Sequence, residues 1–456
     1  MSDSAAPPQF GKTLWHWSEL CGVLDAPPVD GPEVLGVKVD SRLVEAGDLF
    51  VALPGDPGPR FNPGYRSGID GHDFVANAIA QGAVGAVVHK NVEVSPNIPL
   101  IHVADTYDGL WQLGAGARSR LRGHVVGVTG SSGKTTAKRF LQAALNGYAP
   151  PGSYNNHIGV PLALANAPGG AQTCILEIGT NHPGEILPLA QMVAPELAIV
   201  LNVHTAHLEN FPSWDDLYKE KISIFKVLED KSLAVREDLI ELPYGYSFGL
   251  TERADAQVRA LKGDLAEIDM FGERYRARVP GGGLHRSTTV AATMLACHLL
   301  GEDLTRACEL PEDLVPEGRG NIRRAGHALI IDESYNANPQ SMTAALAGFA
   351  AFSGLDRKIA VIGEMLELGE GGAAAHLALG SALTDLDDVI CVGEATRELA
   401  QSIGAPWYAK ADAALLEAVG RVTEGHDKPG IMVKASNRVF WANGFVGQLA
   451  EHLAKQ

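Results

Sequence analysis

Apolar and polar positions follow a pattern that changes twice along the chain. Up to about residue 122, short apolar runs such as DLFVAL and AVGAVVH are connected by Gly- and Pro-rich stretches. From residue 123 to about 318, the apolar runs HVVGVTG, TCILEIGT and LAIVLNV are each followed by a polar loop and helical periodicity. From residue 319 onward, apolar runs recur in ALIIDES, KIAVIGE, DVICVGE and GIMVKAS. The pattern predicts strands at these runs, and helices at TAALAGFAAFSG and HLALGSALTDL.

Strands that alternate with helices are typical of βαβ units and a mostly parallel sheet. We therefore predict an α/β fold with three domains, covering residues 1–122, 123–318 and 319–456. The length of 456 residues agrees with a prior of about 150 residues per domain. The Gly- and Pro-rich stretch PGDPGPRFNPGYRSGIDGHDF, which starts at residue 54, is predicted to be a surface loop.

Composition narrows the class of protein. With 54 acidic and 37 basic residues the formal charge is −17, which argues against a nucleic-acid binder. No run approaches the roughly 18 apolar residues of a membrane span, and MSDSAAPPQF lacks the basic and apolar regions of a signal peptide. The five cysteines are widely spaced, without a CxxC pair, so neither disulfides nor a zinc site is predicted. We expect a reduced, cytoplasmic enzyme.

The strongest local motif is GVTGSSGKTT at residues 127–136, preceded by an apolar run and followed by helical periodicity. This context is typical of a phosphate-binding loop, in which backbone N–H groups and a helix N-terminus surround anionic oxygens. Lys134 would contact the β- and γ-phosphates, and the Thr135 hydroxyl would bind Mg²⁺. The general motif has glycine where this chain has Val128, and a plain Gly/Ser turn is the alternative. The predicted nucleotide-binding residues are Gly130, Ser131, Ser132, Gly133, Lys134, Thr135 and Thr136.

Two further polar residues follow predicted strands. Glu177 lies near the end of TCILEIG, and His207 comes shortly after LAIVLNV. Ligands bind at the carboxyl edge of parallel sheets, so both are candidate metal ligands beside Thr135. The alternative is that each is a solvated surface group or a satisfied core residue.

Several strings resemble the Mur ligases of peptidoglycan synthesis: TGSSGKTT, NNHIGVPLALA, EIGTNHPGEI, AHLENFPSWDDLYKEKISIF and IDESYNANPQSM. The resemblance extends over nearly the whole chain. It implies a central P-loop ATPase domain with a parallel sheet and a Rossmann-like C-terminal α/β domain. It also implies an ATP-dependent ligase that joins D-alanyl-D-alanine to UDP-N-acetylmuramoyl-tripeptide through an acyl-phosphate. We expect such an enzyme to be a monomer.

The resemblance further assigns roles to individual residues. Glu177 and His207 would bind a second Mg²⁺. Lys221 matches a lysine that is carbamylated in many of these ligases. Carbamylation requires that the amine be neutral. Lys134, Glu177, His207 and Lys221 are thus the predicted catalytic residues. His285, Arg319 and Glu333 would contact ATP. The predicted substrate-binding residues are Ser41, Arg42, Gly71, His72, Asn155, Asn156, Thr180, Asn181, His182, Tyr335, Asn336 and Asn338.

The chain departs from the family pattern in places. Relatives carry G-x-H-N-V-x-N, with asparagines that serve the adenine region, where this chain has GLHRSTT with Arg286 and Thr289. Adenine recognition is therefore expected to differ. Three alternatives stay open: a Mur-type ligase that adds another amino acid, such as diaminopimelate or lysine, a P-loop switch that only hydrolyses ATP, and a non-catalytic paralogue. The third residue of the peptide substrate, diaminopimelate or lysine in this family, also stays open.

Overall fold

The computed structural model describes residues 13–58, 67–204, 210–366, 368 and 371–455. Up to residue 129 the elements are α1 (Trp17–Val23), β1 (Gly36–Lys38), β2 (Asp48–Val51), α2 (Val75–Gln81), β3 (Gly85–Val88), β4 (Leu100–His102), α3 (Thr106–Arg120) and β5 (His124–Thr129). They are followed by α4 (Lys134–Leu145), α5 (Gly159–Ala165), β6 (Thr173–Glu177), α6 (Ile186–Val193), β7 (Leu197–Val200) and α7 (Trp214–Ile222).

The next elements are β8 (Ala234–Glu237), β9 (Tyr246–Gly249), β10 (Ala256–Lys262), β11 (Leu265–Met270), β12 (Glu273–Arg278), α8 (Leu284–Leu299) and α9 (Thr305–Cys308). The last elements are β13 (Asn321–Ala325), β14 (Ala328–Glu333), α10 (Pro339–Ala350), β15 (Arg357–Gly363), α11 (Gly372–Leu377), β16 (Asp388–Val392), α12 (Arg397–Ile403), β17 (Trp407–Tyr408), α13 (Ala413–Thr423), β18 (Pro429–Lys434) and α14 (Phe445–Leu453). The apolar runs predicted to be strands are strands.

The described residues divide into two compact units. The first consists of the described residues up to Thr129 together with Leu141–Val200 and Lys219–Ala234. It contains a parallel sheet in the order β1-β2-β3-β4 and a parallel set in which β5 lies between β6 and β7. All residues of β6 and β7 are buried, as is typical of parallel strands covered on both faces. In this register Glu177 lies beside Val128.

The second unit consists of Gly130–Phe140, the described part of Leu201–Tyr218, and the described residues from Val235 onward. Its six-stranded sheet has the order β13-β14-β18-β15-β16-β17, and all of its pairs except β13–β14 are parallel. Successive residues of β15 point to opposite faces. Ile359 and Val361 enter one apolar core, and Ala360 and Ile362 enter another. The register places Glu333 beside Lys434 where β14 and β18 end.

Residues 256–278 depart from the predicted repeat of strand, loop and helix. Strands β10, β11 and β12 form consecutive antiparallel pairs. The two-residue connection Phe271-Gly272 has φ angles of 50° and 85°, as in the type I′ turns that favour hairpins. Such short turns reverse the chain and leave no room for a crossover helix. The predicted α/β fold with mostly parallel sheets is confirmed, and these two hairpins depart locally from the predicted repeat of strand, loop and helix.

Two findings bear on the predictions from composition. None of the helices in the described part of the chain has the length and apolarity that a membrane crossing requires. The five cysteines, all within the described ranges, are free thiols. The proposed boundaries near residues 122 and 318 stay predictions.

Candidate active site

The predicted phosphate loop lies between β5, which ends at Thr129, and α4, which begins at Lys134. Gly130 and Gly133 adopt φ angles of 151° and 81°, which favour glycine because other residues would be strained there. A Cβ at Gly130 would also lie 3.0 Å from Cβ of Leu201. The backbone conformation thus explains both glycines of the motif, and the first turn of α4 adds the partial positive charge of a helix N-terminus.

The loop is held by the segment that follows β7. The Ser131 N–H donates to the carbonyl of Asn202 at 3.1 Å, and the Ser132 N–H donates to Asn202 Oδ1 at 3.0 Å. Ser131 Oγ donates to the His204 carbonyl at 3.1 Å and accepts from the His204 N–H at 2.9 Å. Ser131 therefore shapes the loop through its side chain. Asn202 is not among the residues predicted from the sequence, although it follows the buried strand β7.

Three side chains at the start of α4 carry the expected chemistry. Lys134 Nζ donates to the carbonyl of Gly130 at 2.7 Å, so the lysine folds back over the loop that would hold phosphates. Thr135 and Thr136 are buried. A glycine-built loop, a lysine above it and a buried hydroxyl at a helix N-terminus fit a magnesium-bound nucleoside triphosphate.

Glu177 is fully buried at the carboxyl end of β6. Its Oε2 accepts a hydrogen bond from Ser153 Oγ at 3.1 Å, and Ser153 Oγ accepts from Asn155 Nδ2 at 3.2 Å. The Asn155 carbonyl accepts from the Gly179 N–H at 2.7 Å. Ser153 was not among the predicted residues, and the sequence gives no motif for it. The structure thus brings the predicted Asn155 to within one intervening side chain of Glu177.

A carboxylate oxygen is a suitable Mg²⁺ ligand, and a buried carboxylate at the end of a parallel strand fits a metal site. His207, the third predicted ligand, lies outside the described residues. Among the described residues no group of three His, Cys, Asp or Glu side chains is arranged to hold a metal. The predicted set of Thr135, Glu177 and His207 therefore stays a prediction.

Lys221 and Lys219 lie on α7 in contrasting environments. Lys221 is 1% exposed and ranks among the largest fully buried side chains, whereas Lys219 is exposed. Burial disfavours a charged amine, and only a neutral amine reacts with CO₂. The burial of Lys221 is therefore compatible with the predicted modification.

Two carboxylates fix the loop that carries Thr180, Asn181 and His182. Glu185 Oε2 accepts from the N–H groups of Asn181 and His182 at 2.7 and 3.1 Å and from Thr180 Oγ1 at 3.1 Å. Glu220, the neighbour of Lys221 on α7, accepts from the Gly184 N–H at 2.9 Å and the Ile186 N–H at 2.7 Å. Helix α7 thus holds this loop with one residue and buries a lysine with the next. Neither glutamate is among the residues predicted from the sequence.

Arg319 lies in the turn just before β13, and Glu333 ends β14. The antiparallel pairing of these two strands brings both residues to the same end of the pair. The Arg319 guanidinium carbon lies 4.1 Å from the centre of the Tyr335 ring, and the Tyr335 N–H donates to the Gly318 carbonyl at 2.9 Å. Glu333 Oε1 pairs with Arg286 at 3.0 Å, and Oε2 pairs with Lys434 at 3.2 Å. The carboxylate predicted to accept ribose hydroxyls is thus already held by two cations.

Two asparagines of the YNANP string make local hydrogen bonds. Asn338 caps α10: its Oδ1 accepts from the Ser341 N–H at 2.8 Å, and Ser341 Oγ accepts from the Asn338 N–H at 3.0 Å. This reciprocal pair is a capping box. Asn336 is exposed, and its carbonyl accepts from Lys434 Nζ at 3.2 Å. The structure gives Asn338 a folding role and leaves the Asn336 side chain at the surface.

The predicted uridine contacts lie in the first unit. Arg42 is exposed and forms a two-pronged pair with Asp40, at 2.9 Å from Nε and 2.6 Å from Nη2. His72 is buried, with Nδ1 2.7 Å from Asp70 Oδ1 and Nε2 accepting from the His89 N–H at 3.1 Å. Both His72 ring nitrogens are used within the protein, so its role in the structure is to shape this loop.

Other predicted substrate-binding residues of the first unit are also constrained by contacts within the protein. Ser41 is buried. A Cβ at Gly71 would lie 2.6 Å from the Leu53 backbone, so glycine is needed for a close backbone approach. The side chain of Asn156 accepts from the Ile158 and Gly159 N–H groups at 3.1 and 2.8 Å, at the start of α5.

The residues that replace the family's asparagines are inward-facing. Arg286 and Thr289 are buried, and Thr289 Oγ1 donates to the His285 carbonyl at 3.2 Å. His285 is exposed on the first turn of α8. Both side chains thus make hydrogen bonds within the protein, and a difference in adenine recognition stays a prediction.

The glycine-built loop after β5, with Lys134 over it and the buried Thr135 at the start of α4, is typical of P-loop nucleotide-binding proteins. Residues 128–241 match the Mur ligase middle domain, and residues 318–436 match the Mur ligase glutamate ligase domain. The UDP-N-acetylmuramoyl-tripeptide–D-alanyl-D-alanine ligase of Rickettsia prowazekii is 30% identical over 75% of this chain and 78% of that protein. The corresponding Escherichia coli ligase is 30% identical over 85% of this chain and 88% of its own. The chain belongs to the Mur ligase family, and it is an enzyme of the ligase class.

Solved structures agree with this assignment. A crystal structure of MurF from Acinetobacter baumannii covers 98% of this chain and 100% of its own, with a TM-score of 0.80 and 27% identity. The MurF ligase of Thermotoga maritima, solved in complex with ADP, has a TM-score of 0.76 and 28% identity, and the match covers 92% of this chain and 98% of that one. The predicted Mur ligase architecture is confirmed, and the likeness to the ADP complex supports the use of ATP.

Proposed function

We propose that this chain joins D-alanyl-D-alanine to UDP-N-acetylmuramoyl-tripeptide with the energy of ATP, in the cytoplasmic phase of peptidoglycan precursor synthesis. One observation carries the proposal: the glycine-built loop at Gly130–Gly133 directly follows β5, whose neighbour β6 ends in the buried Glu177. The loop proposed to bind phosphate thus follows β5, and the carboxylate proposed to bind metal is the last residue of the parallel neighbour β6. The relatives named above act on this pair of substrates.

The reaction begins with transfer of the γ-phosphoryl group of ATP to an oxygen of the peptide carboxylate, which gives an acyl-phosphate and ADP. Lys134 holds the phosphate oxygens as charge spreads over them. Thr135, Glu177 and His207 would hold two Mg²⁺ ions, which supply charge neutralisation. The amine of the dipeptide then attacks the acyl carbon, loses a proton, and phosphate leaves. A carbamylated Lys221 would support the metals.

The proposal also assigns a binding role to each of the three predicted domains. Residues 1–122 bind the UDP end, residues 123–318 bind ATP, and residues 319–456 carry groups for ATP and the dipeptide. Arg319 and Glu333 contact the nucleotide and Tyr335 lies nearby. The Thr180–His182 loop and Asn155 line the path of the peptide. The enzyme acts as a monomer, and its free thiols suit a reducing compartment.

The experiment that tests the proposal supplies the purified chain with ATP, Mg²⁺ and UDP-muramoyl precursors of increasing peptide length. We expect phosphate release only with the tripeptide precursor plus D-alanyl-D-alanine, with one amide formed per phosphate. Turnover of a shorter precursor with a single amino acid would instead identify a Mur-type ligase that adds a different residue. Phosphate release without an acceptor would indicate an ATP-hydrolysing switch, and the proposal would be wrong.

Replacing Glu220 by glutamine tests how the peptide-binding loop is held. A carboxylate accepts both loop N–H bonds, whereas the amide presents an NH₂ group that repels one of them. Hydrogen bonds to charged groups are worth more than neutral ones, so we expect KM for the UDP-tripeptide to rise about tenfold. Steady-state kinetics should show KM for ATP unchanged within about twofold.

Asp215→Asn is the matched control, because it makes the same acid-to-amide change at an exposed position of α7. It should behave as the unaltered enzyme does. Equal changes of both KM values in Glu220→Gln would mean that the residue stabilises the whole enzyme and does not position the loop.

A further inference from the structure

Arg286 joins two stretches of the second unit that are far apart in sequence. It lies in the first turn of α8 and is buried. Its Nη1 donates to the carbonyls of Gly281 and Gly282 at 3.0 and 3.1 Å. Its Nη2 donates to the Arg319 carbonyl at 2.9 Å and to Glu333 Oε1 at 3.0 Å. One guanidinium thus ties the start of α8 to both residues proposed to contact the nucleotide.

These hydrogen bonds account for all four N–H groups on the two terminal nitrogens of Arg286. No terminal N–H remains for a bound nucleotide while they persist. Arg286 therefore acts through the groups that it holds. A planar guanidinium can reach four acceptors at once, which the compact ammonium group of a lysine cannot do.

The backbone around the guanidinium is shaped to receive it. Gly281 and Gly282 have φ angles of 69° and 60°, which turn their carbonyls toward Arg286. Gly320 has a φ of 98°, and a Cβ there would lie 1.6 Å from Arg286 Nη2 and 2.6 Å from Glu333 Oε1. Any side chain at Gly320 would thus displace the guanidinium.

The charges around Glu333 also indicate that its carboxylate is held in a fixed position. Burial raises the pKa of Glu333, but the charges of Lys434 and Arg286 outweigh burial and hold the pKa at about 2. Lys434 comes from β18, and Arg286 comes from α8 beside His285, whose own pKa is lowered to about 3. Buried ion pairs often add little net stability, so stability alone does not explain why Glu333 is paired with two cations. The need to hold Glu333 and Arg319 in a fixed geometry does explain it.

We propose that Arg286 is a positioning residue of the nucleotide site, which holds the Arg319 backbone and the Glu333 carboxylate in the arrangement that contacts ATP. The inference rests on the proposed function, because that function assigns ATP to Arg319 and Glu333. Arg286 stands where relatives carry an asparagine that serves the adenine region. In this chain the residue at that position supports two other residues of the nucleotide site.

The test uses calorimetric titration of the full chain with a non-hydrolysable ATP analogue and Mg²⁺, without the other substrates. Arg286→Lys keeps the charge but loses most of the four guanidinium hydrogen bonds. Gly320→Ala keeps the arginine but places a Cβ where its guanidinium lies. We expect both to weaken analogue binding about tenfold or more. Gly301→Ala is the matched control, because Gly301 follows the same helix at a φ of 75° with nothing within 4 Å of an added Cβ.

A pH series adds a measurement that a general loss of stability would not reproduce. In Arg286→Gln one neighbouring cation is gone, so the pKa of Glu333 rises and the analogue should begin to dissociate at a higher pH than from the unaltered enzyme. Arg286→Lys should keep the original acid limit. If Gly320→Ala and Arg286→Lys bind the analogue as Gly301→Ala does, or if the acid limit of Arg286→Gln does not move, the proposal is wrong. Weakened analogue binding in a chain that forms no amide would leave this inference standing and overturn the proposed function instead.

Discussion

Replacing Lys134 by methionine should lower acceptor-dependent phosphate release about 1000-fold. The ammonium group lies above the phosphate loop, 2.7 Å from the Gly130 carbonyl, and can turn toward a bound phosphate. Charge on the transferring phosphoryl group spreads in the transition state, so a fixed cation stabilises that state more than the bound substrate. The loss should therefore appear mainly in kcat. Single-turnover measurement of ADP formation with saturating substrates gives the number.

Methionine keeps the length and most of the apolar volume of the lysine stem. The lost hydrogen bond to Gly130 is worth about 1 kcal/mol, so Lys134→Met should remain folded. Arg139→Gln removes a cation from an exposed position of the same helix and should leave turnover unchanged. A Lys134→Met enzyme within about tenfold of normal turnover would refute a role at the transferring phosphate.

Much of the fold could be predicted because the signals were local. Buried parallel strands appear as continuous apolar runs, and β6 and β7 were identified in this way. The hairpins of β10–β12 were missed, although β11 alternates strictly, with Ala266, Ile268 and Met270 buried. That alternation is a period of two, and Phe271-Gly272 is a turn. The sequence of this segment therefore does carry the signals of a hairpin.

The candidate site could be predicted less completely, because its supporting contacts join distant parts of the chain. Ser153 contacts Glu177 across 24 positions, and Asn202 contacts Ser132 across 70. No short motif marks either residue. Arg286 was noticed as a departure from the family pattern, but only the structure shows that it binds Glu333 at 3.0 Å.

Several predicted substrate residues turn out to have internal partners. His72 and Asn338 use their side chains to fix a loop and a helix terminus. A motif in a single sequence cannot distinguish a residue that touches substrate from one that shapes the loop beside it. Substrate contact at these positions stays a prediction, whereas the structural contacts explain why such residue types occur there.

Replacing Lys221 by methionine should reduce kcat about 100-fold, within the range found for residues that orient metal ligands. Methionine fills the buried position without an amine, so a large loss of packing is avoided. In the unaltered enzyme the neutral amine would take up CO₂ and release a proton, which leaves a carbamate anion. Activity should therefore fall in CO₂-depleted buffer and return with bicarbonate. A ¹³C-bicarbonate spectrum should show one carbamate resonance that Lys221→Met lacks.

The two lysines of α7 separate this role from general effects of charge. Lys219→Ala removes a cation from the exposed face, and it should keep both the response to bicarbonate and the carbamate resonance. Lys221→Met should show neither the response to bicarbonate nor the carbamate resonance. A buried lysine that stayed an amine would have to be paired or neutral, and its replacement would then change stability more than turnover. Full activity of the unaltered enzyme without CO₂, together with a 100-fold loss in Lys221→Met, would assign the metal-supporting role to the amine itself. Equal activity of the two variants would remove Lys221 from the reaction altogether.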